Sequence, residues 1–182
     1  MDESMKKKVD TLKASKLFVN NTEQGRLTEQ QSILLTLTGQ KPVSEVTTGI
    51  KVDTPTGWKS APENHDKIQD LFSRLGVQCS IQDDDHASNV IISTNTTLLN
   101  QYLKSKELDE INGALFGYPK TATEAFGDNN LMMSLEEQDK IMISEGLPLF
   151  MPNFRFSKLH YTEELKVLHS WYETFKKYNL IE

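Results

Sequence analysis

The phrase Gly117-Tyr118-Pro119-Lys120 is the stretch of this sequence whose residue types best suit binding chemistry. Proline is tolerated in the first turn of a helix, so a new helix is predicted to begin at Pro119. The start of a helix presents free backbone N–H groups and a partial positive charge, which attract carboxylates and phosphates. We therefore expect Tyr118, Lys120 and Thr121 to contribute to a site for an anionic group.

A later segment supplies two further candidates for the same site. Arg155 lies in an extended stretch and His160 in the loop after it, and both side chains can donate hydrogen bonds to an anion. The alternative is a packed corner between two helices, in which Gly117 permits the turn, Pro119 starts the next helix and Tyr118 packs against the core. This interpretation is favoured because glycine and proline most often mark turns and the ends of secondary-structure elements. The sequence leaves both interpretations open.

No metal site or cofactor is predicted. The run Asp83-Asp84-Asp85-His86 lacks the alternating ligands, the turn glycine and the distal glutamate of a calcium loop, so it is interpreted as a solvated connection. Zinc-binding helices carry two histidines four residues apart, and no such pair occurs among His65, His86, His160 and His169.

No catalytic residue is predicted either. The single cysteine, Cys79, falls on the inward face of a predicted strand, where thiols are usually unreactive core residues. The sequence contains no Gly-x-Ser-x-Gly elbow, no Walker loop and no dinucleotide-binding glycine motif. Whether the protein is an enzyme is left open, with the balance against it.

Composition narrows the classes of partner. The chain has 182 residues, 37% of them hydrophobic and 25% charged, and a net charge of −6. Its only basic run, Lys6-Lys7-Lys8, is flanked by acidic residues, so nucleic acid is not an expected partner. No apolar run is long enough to span a membrane and no secretory signal is recognisable. With one cysteine, these features favour a cytoplasmic protein.

The elements that position these residues follow from apolar periodicity. Strands are predicted near 49–53, 77–82 and 89–93, with the segment 149–156 as a further edge or irregular strand because Pro148 and Pro152 interrupt it. The fold class is α+β, with a small, mainly antiparallel sheet, flanking helices and a helical C-terminal half. We expect one compact unit over 1–182, with a helix over 1–20 that could be peripheral and a sub-boundary near residue 105.

Capping patterns fix several helix starts. Thr28 with Gln31, and Ser134 with Glu137, match the capping box, in which the two side chains bond each other's backbone N–H groups. The last helix is predicted from about Thr162 to Tyr178.

The stretch from Gly113 to Phe126 resembles a group of uncharacterised prokaryotic proteins. Their shared pattern is a helix that ends in Gly-Tyr-Pro, followed by a short helix that ends in Ala-Phe. The resemblance covers residues 107–178 and implies that they act as one structural unit, with no established activity. Some members carry cysteines just after the proline, where Lys120, Thr121 and Ala122 stand here, so no metal or redox role carries over.

Two classes of function remain. The first is a non-enzymatic binding or interaction protein, whose partner could contact the exposed side of the segment 150–156 or the basic N-terminal helix. The second is a small-molecule-binding protein or enzyme that acts on a carboxylate or phosphate at the helix start near Pro119. The partner is thus an unidentified protein or a small anionic ligand, and the oligomeric state is not predicted.

Overall fold

The computed structural model describes residues 2–18, 27–51, 58–84, 87–105, 109–128 and 130–181. Within these ranges the helices are α1 Glu3–Ala14, α2 Glu29–Leu37, α3 His65–Leu75, α4 Thr96–Lys104, α5 Asp109–Leu115, α6 Lys120–Ala125, α7 Leu135–Ser144 and α8 Tyr161–Lys177. The strands are β1 Ser44–Thr48, β2 Ile50–Lys51, β3 Trp58–Lys59, β4 Gln78–Asp83 and β5 Ser88–Ser93. The predicted α+β class is confirmed.

The main sheet is antiparallel, in the order β1-β5-β4. Its central strand, β5, contains the apolar run Val90-Ile91-Ile92, and all three side chains are buried. Val90 lies opposite Val46 on one side and Ile81 on the other. A run of consecutive apolar residues, rather than an alternating pattern, is typical of a strand that is covered on both faces.

The strand predicted near 49–53 is present as Ile50–Lys51, but it does not belong to the main sheet. The strand that joins the main sheet is Ser44–Thr48, whereas Ile50–Lys51 pairs only with Trp58–Lys59 in a separate two-stranded ribbon. Residues 52–57 lie outside the described ranges. Apolar alternation does not reveal β1 because two of its inward positions are polar. Ser44 is buried and satisfies its hydroxyl locally, bonding Thr36 Oγ1 at 2.7 Å and donating to the Ser32 carbonyl at 3.1 Å.

The segment 149–156 is not a strand, so that prediction is wrong. Its prolines have no N–H to give to a sheet, and the backbone N–H of Phe156 donates to a side-chain oxygen, Gln138 Oε1, at 2.8 Å. The helix predicted over 1–20 is also shorter, since α1 ends at Ala14 and Ser15 is already extended. Val9 and Leu12 of α1 are nevertheless buried.

Both predicted capping boxes are confirmed. Thr28 and Gln31 bond each other's backbone N–H groups at the start of α2, as do Ser134 and Glu137 at the start of α7. These caps fix where each helix begins. Helix α2 then packs against both β1 and α8, so it contacts elements on both sides of residue 105.

Candidate functional site

Gly117 fixes the geometry of the region around the predicted site. Its backbone lies in the left-handed conformation, with φ of +74°. A Cβ atom at this position would overlap the Gln40 carbonyl oxygen and lie 3.2 Å from Lys41 Cα. Only glycine allows both the conformation and this close approach. The same contact is secured by the Val43 N–H, which donates to the Leu115 carbonyl at 2.8 Å.

This approach encloses the side chain of Lys41 in an aromatic cage. Its Nζ lies 5.5 Å from the ring centroid of Phe116, 5.8 Å from that of Tyr118 and 5.9 Å from that of Trp171. Lys41 is only 3% exposed and forms no ion pair with the described residues. Burial lowers the pKa of its ammonium to about 8, while the facing rings attract the charged form through their quadrupoles.

The cage belongs to a longer chain of contacting aromatic rings. Phe116 stacks at a tilt on Tyr102 of α4 and on Tyr118, with centroid distances of 5.4 and 5.7 Å. Tyr118 contacts Phe154 at 5.4 Å, and Phe154 meets Trp171 of α8 edge to face at 6.2 Å. Tilted and edge-to-face pairs at these separations are favourable beyond their buried area. The rings therefore tie α4, the α5–α6 corner and α8 into one rigid wall.

On one side of this wall lies a cavity of about 250 Å³, which we call the aromatic cavity. Its floor depends on a second close approach, between α5 and α6. A Cβ atom on Gly113 would lie 2.7 Å from Thr123 Cγ2, so glycine lets the two helices meet there. The lining residues are Asn112, Gly113, Phe116, Tyr118, Ala122, Thr123, Phe126, Asn153, Phe154 and Arg155.

Arg155 is the charged group of the aromatic cavity. Its Nη2 donates to the Met133 carbonyl at 2.6 Å, which anchors the guanidinium. Its Nε is buried and has no hydrogen-bond partner among the described residues. A buried donor that makes no hydrogen bond lowers the stability of the fold by about 1–3 kcal/mol.

The aromatic cavity adjoins a larger groove of about 780 Å³, which we call the mouth groove. The two share Tyr118, Phe126, Asn153, Phe154 and Arg155. The groove adds residues from α7 and from the following loop, namely Leu135, Gln138, Asp139, Leu149 and Pro152. The wall on the α7 side is fixed by Gln138, which donates to the Phe154 carbonyl at 3.3 Å and accepts from the Phe156 N–H.

The structure does not bring all five predicted site residues together. Tyr118 and Arg155 line the aromatic cavity, whereas Thr121 and His160 line a separate depression of about 130 Å³. Lys120 lines neither; it is 87% exposed and pairs with Glu124 at 3.2 Å.

Pro119 immediately precedes α6, as the sequence predicted, but the helix has only six residues.

The sequence interpretation missed one polar residue that organises this region. Glu164 is fully buried and accepts hydrogen bonds from Thr121 Oγ1 at 2.7 Å and from the Ser157 N–H at 2.8 Å. A signal was present, because Glu164 lies on the same helical stripe as Leu168, Trp171 and Phe175, at the spacing of a buried face.

A second polar cluster lies far along the chain, around Asp83. Its Oδ1 bonds Ser60, Ser88 and His65 Nε2, and the hydrogen bond from Ser88 is the main cause of the lowered pKa of this carboxyl. Both serines bond the carboxylate rather than the imidazole, so the cluster lacks the serine–histidine contact of a nucleophilic site.

Two further predictions concern the reactivity of the Cys79 thiol and the absence of a metal site. Burial raises the pKa of the Cys79 thiol, which disfavours the thiolate. No group of three or more His, Cys, Asp or Glu side chains in the described ranges could hold a metal ion. Asp85 and His86 lie outside those ranges.

Comparisons of the chain with protein-family models, with curated proteins and with solved structures found no match. The resemblance of residues 107–178 to a prokaryotic group therefore remains a prediction. Among the helices of the described ranges, none has the length and apolar character needed to cross a membrane.

Proposed function

We propose that this chain is a non-enzymatic binding protein whose aromatic cavity holds a small, planar apolar group that carries a carboxylate. The observation that carries the proposal is that Arg155, whose buried Nε lacks a hydrogen-bond partner among the described residues, lines a cavity together with four aromatic rings. Ligand pockets are typically apolar with a few convergent polar groups that fix orientation. A carboxylate is the acceptor that guanidinium groups bind best.

The size of the cavity supports a small ligand. Pockets for drug-sized molecules span roughly 300–1,000 Å³, and the aromatic cavity, at about 250 Å³, lies just below that range. One aromatic ring with a short acidic arm is a suitable occupant. Phe116, Tyr118 and Phe154 are already ordered by their mutual contacts, so binding such a ring would require little reorganisation.

The helix start at Pro119 is a weaker candidate for the anion. Lys120 Nζ pairs with Glu124, and the Thr121 hydroxyl donates to the buried Glu164. Both predicted donors are thus engaged within the protein. Enzymatic action on an anion at this helix start stays a prediction.

A protein partner is the second candidate, favoured by the exposed apolar surface. Among the described residues, all the large hydrophobic side chains that are exposed fall within 126–159: Phe126, Leu131, Leu135, Ile143, Leu149 and Leu159. Phe126, Leu135 and Leu149 line the mouth groove. Concentrated apolar exposure is typical of interaction surfaces. A partner that seats an apolar side chain in the aromatic cavity would use the same walls as the proposed small ligand.

Thermal-shift measurements with 3-phenylpropionate test the proposal. We expect the melting temperature to rise in a saturable manner with the wild-type protein and to rise less with Phe126→Ala. Phe126 is 60% exposed, so its truncation should spare the fold while removing one wall of the cavity. Leu159→Ala is the matched control, since Leu159 is 76% exposed and lines only the separate depression. No shift with the wild type, or an equal shift with Phe126→Ala, would contradict the proposal.

Lys120→Gln separates the cavity from the helix start. If the anion binds at Arg155, this variant should retain the full thermal shift, because Lys120 lies outside the aromatic cavity. Loss of the shift in Lys120→Gln would instead support the helix start near Pro119.

A further inference from the structure

The mouth groove holds two opposite charges that do not pair with each other. Arg155 and Asp139 both line it, yet no ion pair joins them. Arg155 uses Nη2 on the Met133 carbonyl, and Asp139 has no hydrogen bond or ion pair with any described residue. They are the only charged side chains among the described residues that line this groove.

The isolation of Asp139 contrasts with its neighbours on α7. Glu136 accepts from Lys140 Nζ at 2.7 Å, and Glu137 accepts from both the hydroxyl and the N–H of Ser134. Just beyond the helix, Glu145 bonds His169 at 3.2 Å. Asp139 alone among these acids is half-buried and lines the mouth groove. Partial burial of a carboxylate is unfavourable unless a cation pairs with it, so a bound cation would stabilise Asp139.

From this arrangement we propose that the ligand is a free α-amino acid with an aromatic or large apolar side chain. The inference rests on the proposed function, since it assumes that the aromatic cavity holds the side chain. The α-carboxylate then meets Arg155 at the shared wall of cavity and groove, and the α-ammonium meets Asp139 in the groove. A free amino acid carries both charges on one carbon, next to the side chain that fills the cavity.

The arrangement of walls gives each part of such a ligand its own surface. Asn112, Gly113, Phe116, Ala122 and Thr123 line the aromatic cavity but not the mouth groove, and this mainly apolar part of the site suits the side chain. Asp139 lines only the groove, which keeps the cation near solvent. Arg155 lines both spaces and therefore stands where the carboxylate of a seated amino acid would lie.

The test compares three probes that share a phenyl ring: L-phenylalanine, 3-phenylpropionate without the ammonium, and phenethylamine without the carboxylate. Dissociation constants are measured by isothermal titration for the wild type and for Asp139→Asn. We expect wild type to bind L-phenylalanine about five- to tenfold more tightly than 3-phenylpropionate, the range for one partly exposed charge-assisted hydrogen bond. Asp139→Asn should abolish this preference and leave binding of 3-phenylpropionate unchanged.

Glu136→Gln is the matched control, because Glu136 is exposed on the same helix and outside the groove. It should keep the preference for L-phenylalanine. Equal affinity of the wild type for L-phenylalanine and 3-phenylpropionate, or a preference that survives in Asp139→Asn, would overturn the amino-acid inference while leaving the proposed carboxylate-binding cavity intact. Absence of binding by all three probes would overturn both.

Discussion

Gly117 and Gln40 are in direct backbone contact, and this contact brings the two halves of the candidate site together. The carbonyl oxygen of Gln40 occupies the space where any other residue at position 117 would place its Cβ atom. The residue after Gln40 is the caged Lys41, and the residues on either side of Gly117 supply two rings of its cage. The sequence phrase Phe116-Gly117-Tyr118 is thus explained first by packing and then by the cavity it creates.

Replacing Gly117 with alanine should be strongly destabilising. The left-handed backbone alone costs a residue with a Cβ about 1–2 kcal/mol, and the clash with Gln40 adds an overpacking cost of about 1–3 kcal/mol. We expect the free energy of unfolding, measured by urea denaturation, to fall by roughly 2–5 kcal/mol.

Gly39→Ala is the control for the conformational part of that effect. Gly39 has a φ of +75°, but an added Cβ atom would meet nothing within 4 Å. The free energy of unfolding of Gly39→Ala should therefore fall only by the conformational cost of about 1–2 kcal/mol. If Gly117→Ala were no more destabilising than Gly39→Ala, the contact with Gln40 would not be as close as described.

Lys41 should make stability depend on pH in the alkaline range. Its pKa is about 8 in the folded protein and 10.5 in the unfolded chain. Between these values the unfolded state binds more protons, so the free energy of unfolding rises with pH. Below pH 8 Lys41 is charged in both states, so the whole free-energy cost of burying its charge opposes folding. This cost disappears between pH 8 and 10.5, as Lys41 loses its proton in the folded protein. The whole effect is on the order of 3 kcal/mol.

Urea denaturation of wild type and Lys41→Met between about pH 8 and pH 10 measures this contribution. Higher pH is avoided because burial and Glu45 raise the pKa of Tyr102, and tyrosines of the unfolded chain ionise there. Lys41→Met should lose the rise, because methionine does not titrate. Lys120→Met should keep it, since Lys120 is exposed. An identical slope in wild type and Lys41→Met would contradict a buried ammonium whose pKa is lowered by burial.

Glu164→Gln should destabilise the fold around α6 and α8. The buried carboxylate accepts from the Thr121 hydroxyl and the Ser157 N–H, and an amide has one oxygen to offer where two acceptors are needed. We expect a loss of roughly 1.5–3 kcal/mol, the range for hydrogen bonds to a charged group. Glu163→Gln removes an exposed pair with Lys166 and should change stability by less than about 0.5 kcal/mol. Equal effects of the two substitutions on chemical denaturation would argue against the structural role of Glu164.

The parts of the fold that could be predicted are those in which local chemistry and burial agree. The central strand β5 contains the uninterrupted apolar run Val90-Ile91-Ile92, and the capping boxes at Thr28 and Ser134 have their partners three residues away. Strand β1 could not be found in this way because Ser44 and Thr48 are buried polar residues. Their hydrogen bonds depend on neighbours that only the folded chain brings together, such as Thr36.

The location of the candidate site could be predicted from the sequence, but the full set of residues that line it could not. Glycine and proline at 117 and 119 marked the corner, and Tyr118 and Arg155 do line the cavity beside it. Asp139 and Phe126 could not have been added, because the path of the loop between α6 and α7 decides which groove they line. Lys41 lies 75 or more positions before the rings that enclose it, and nothing in its local sequence distinguishes it from a solvated lysine.

The most direct measurement of the proposed function is the ¹⁵N–¹H NMR signal of the Arg155 side-chain Nε–H during titration with 3-phenylpropionate. The chain has arginines only at 26, 74 and 155, so substitution of each with lysine assigns the signals. We predict a saturable shift of the Arg155 signal as the carboxylate accepts a hydrogen bond from the guanidinium, with the Arg74 signal, exposed and paired with Asp70, unchanged. An Arg155 signal that stays still, or that moves only in parallel with that of Arg74, would contradict a carboxylate-binding aromatic cavity.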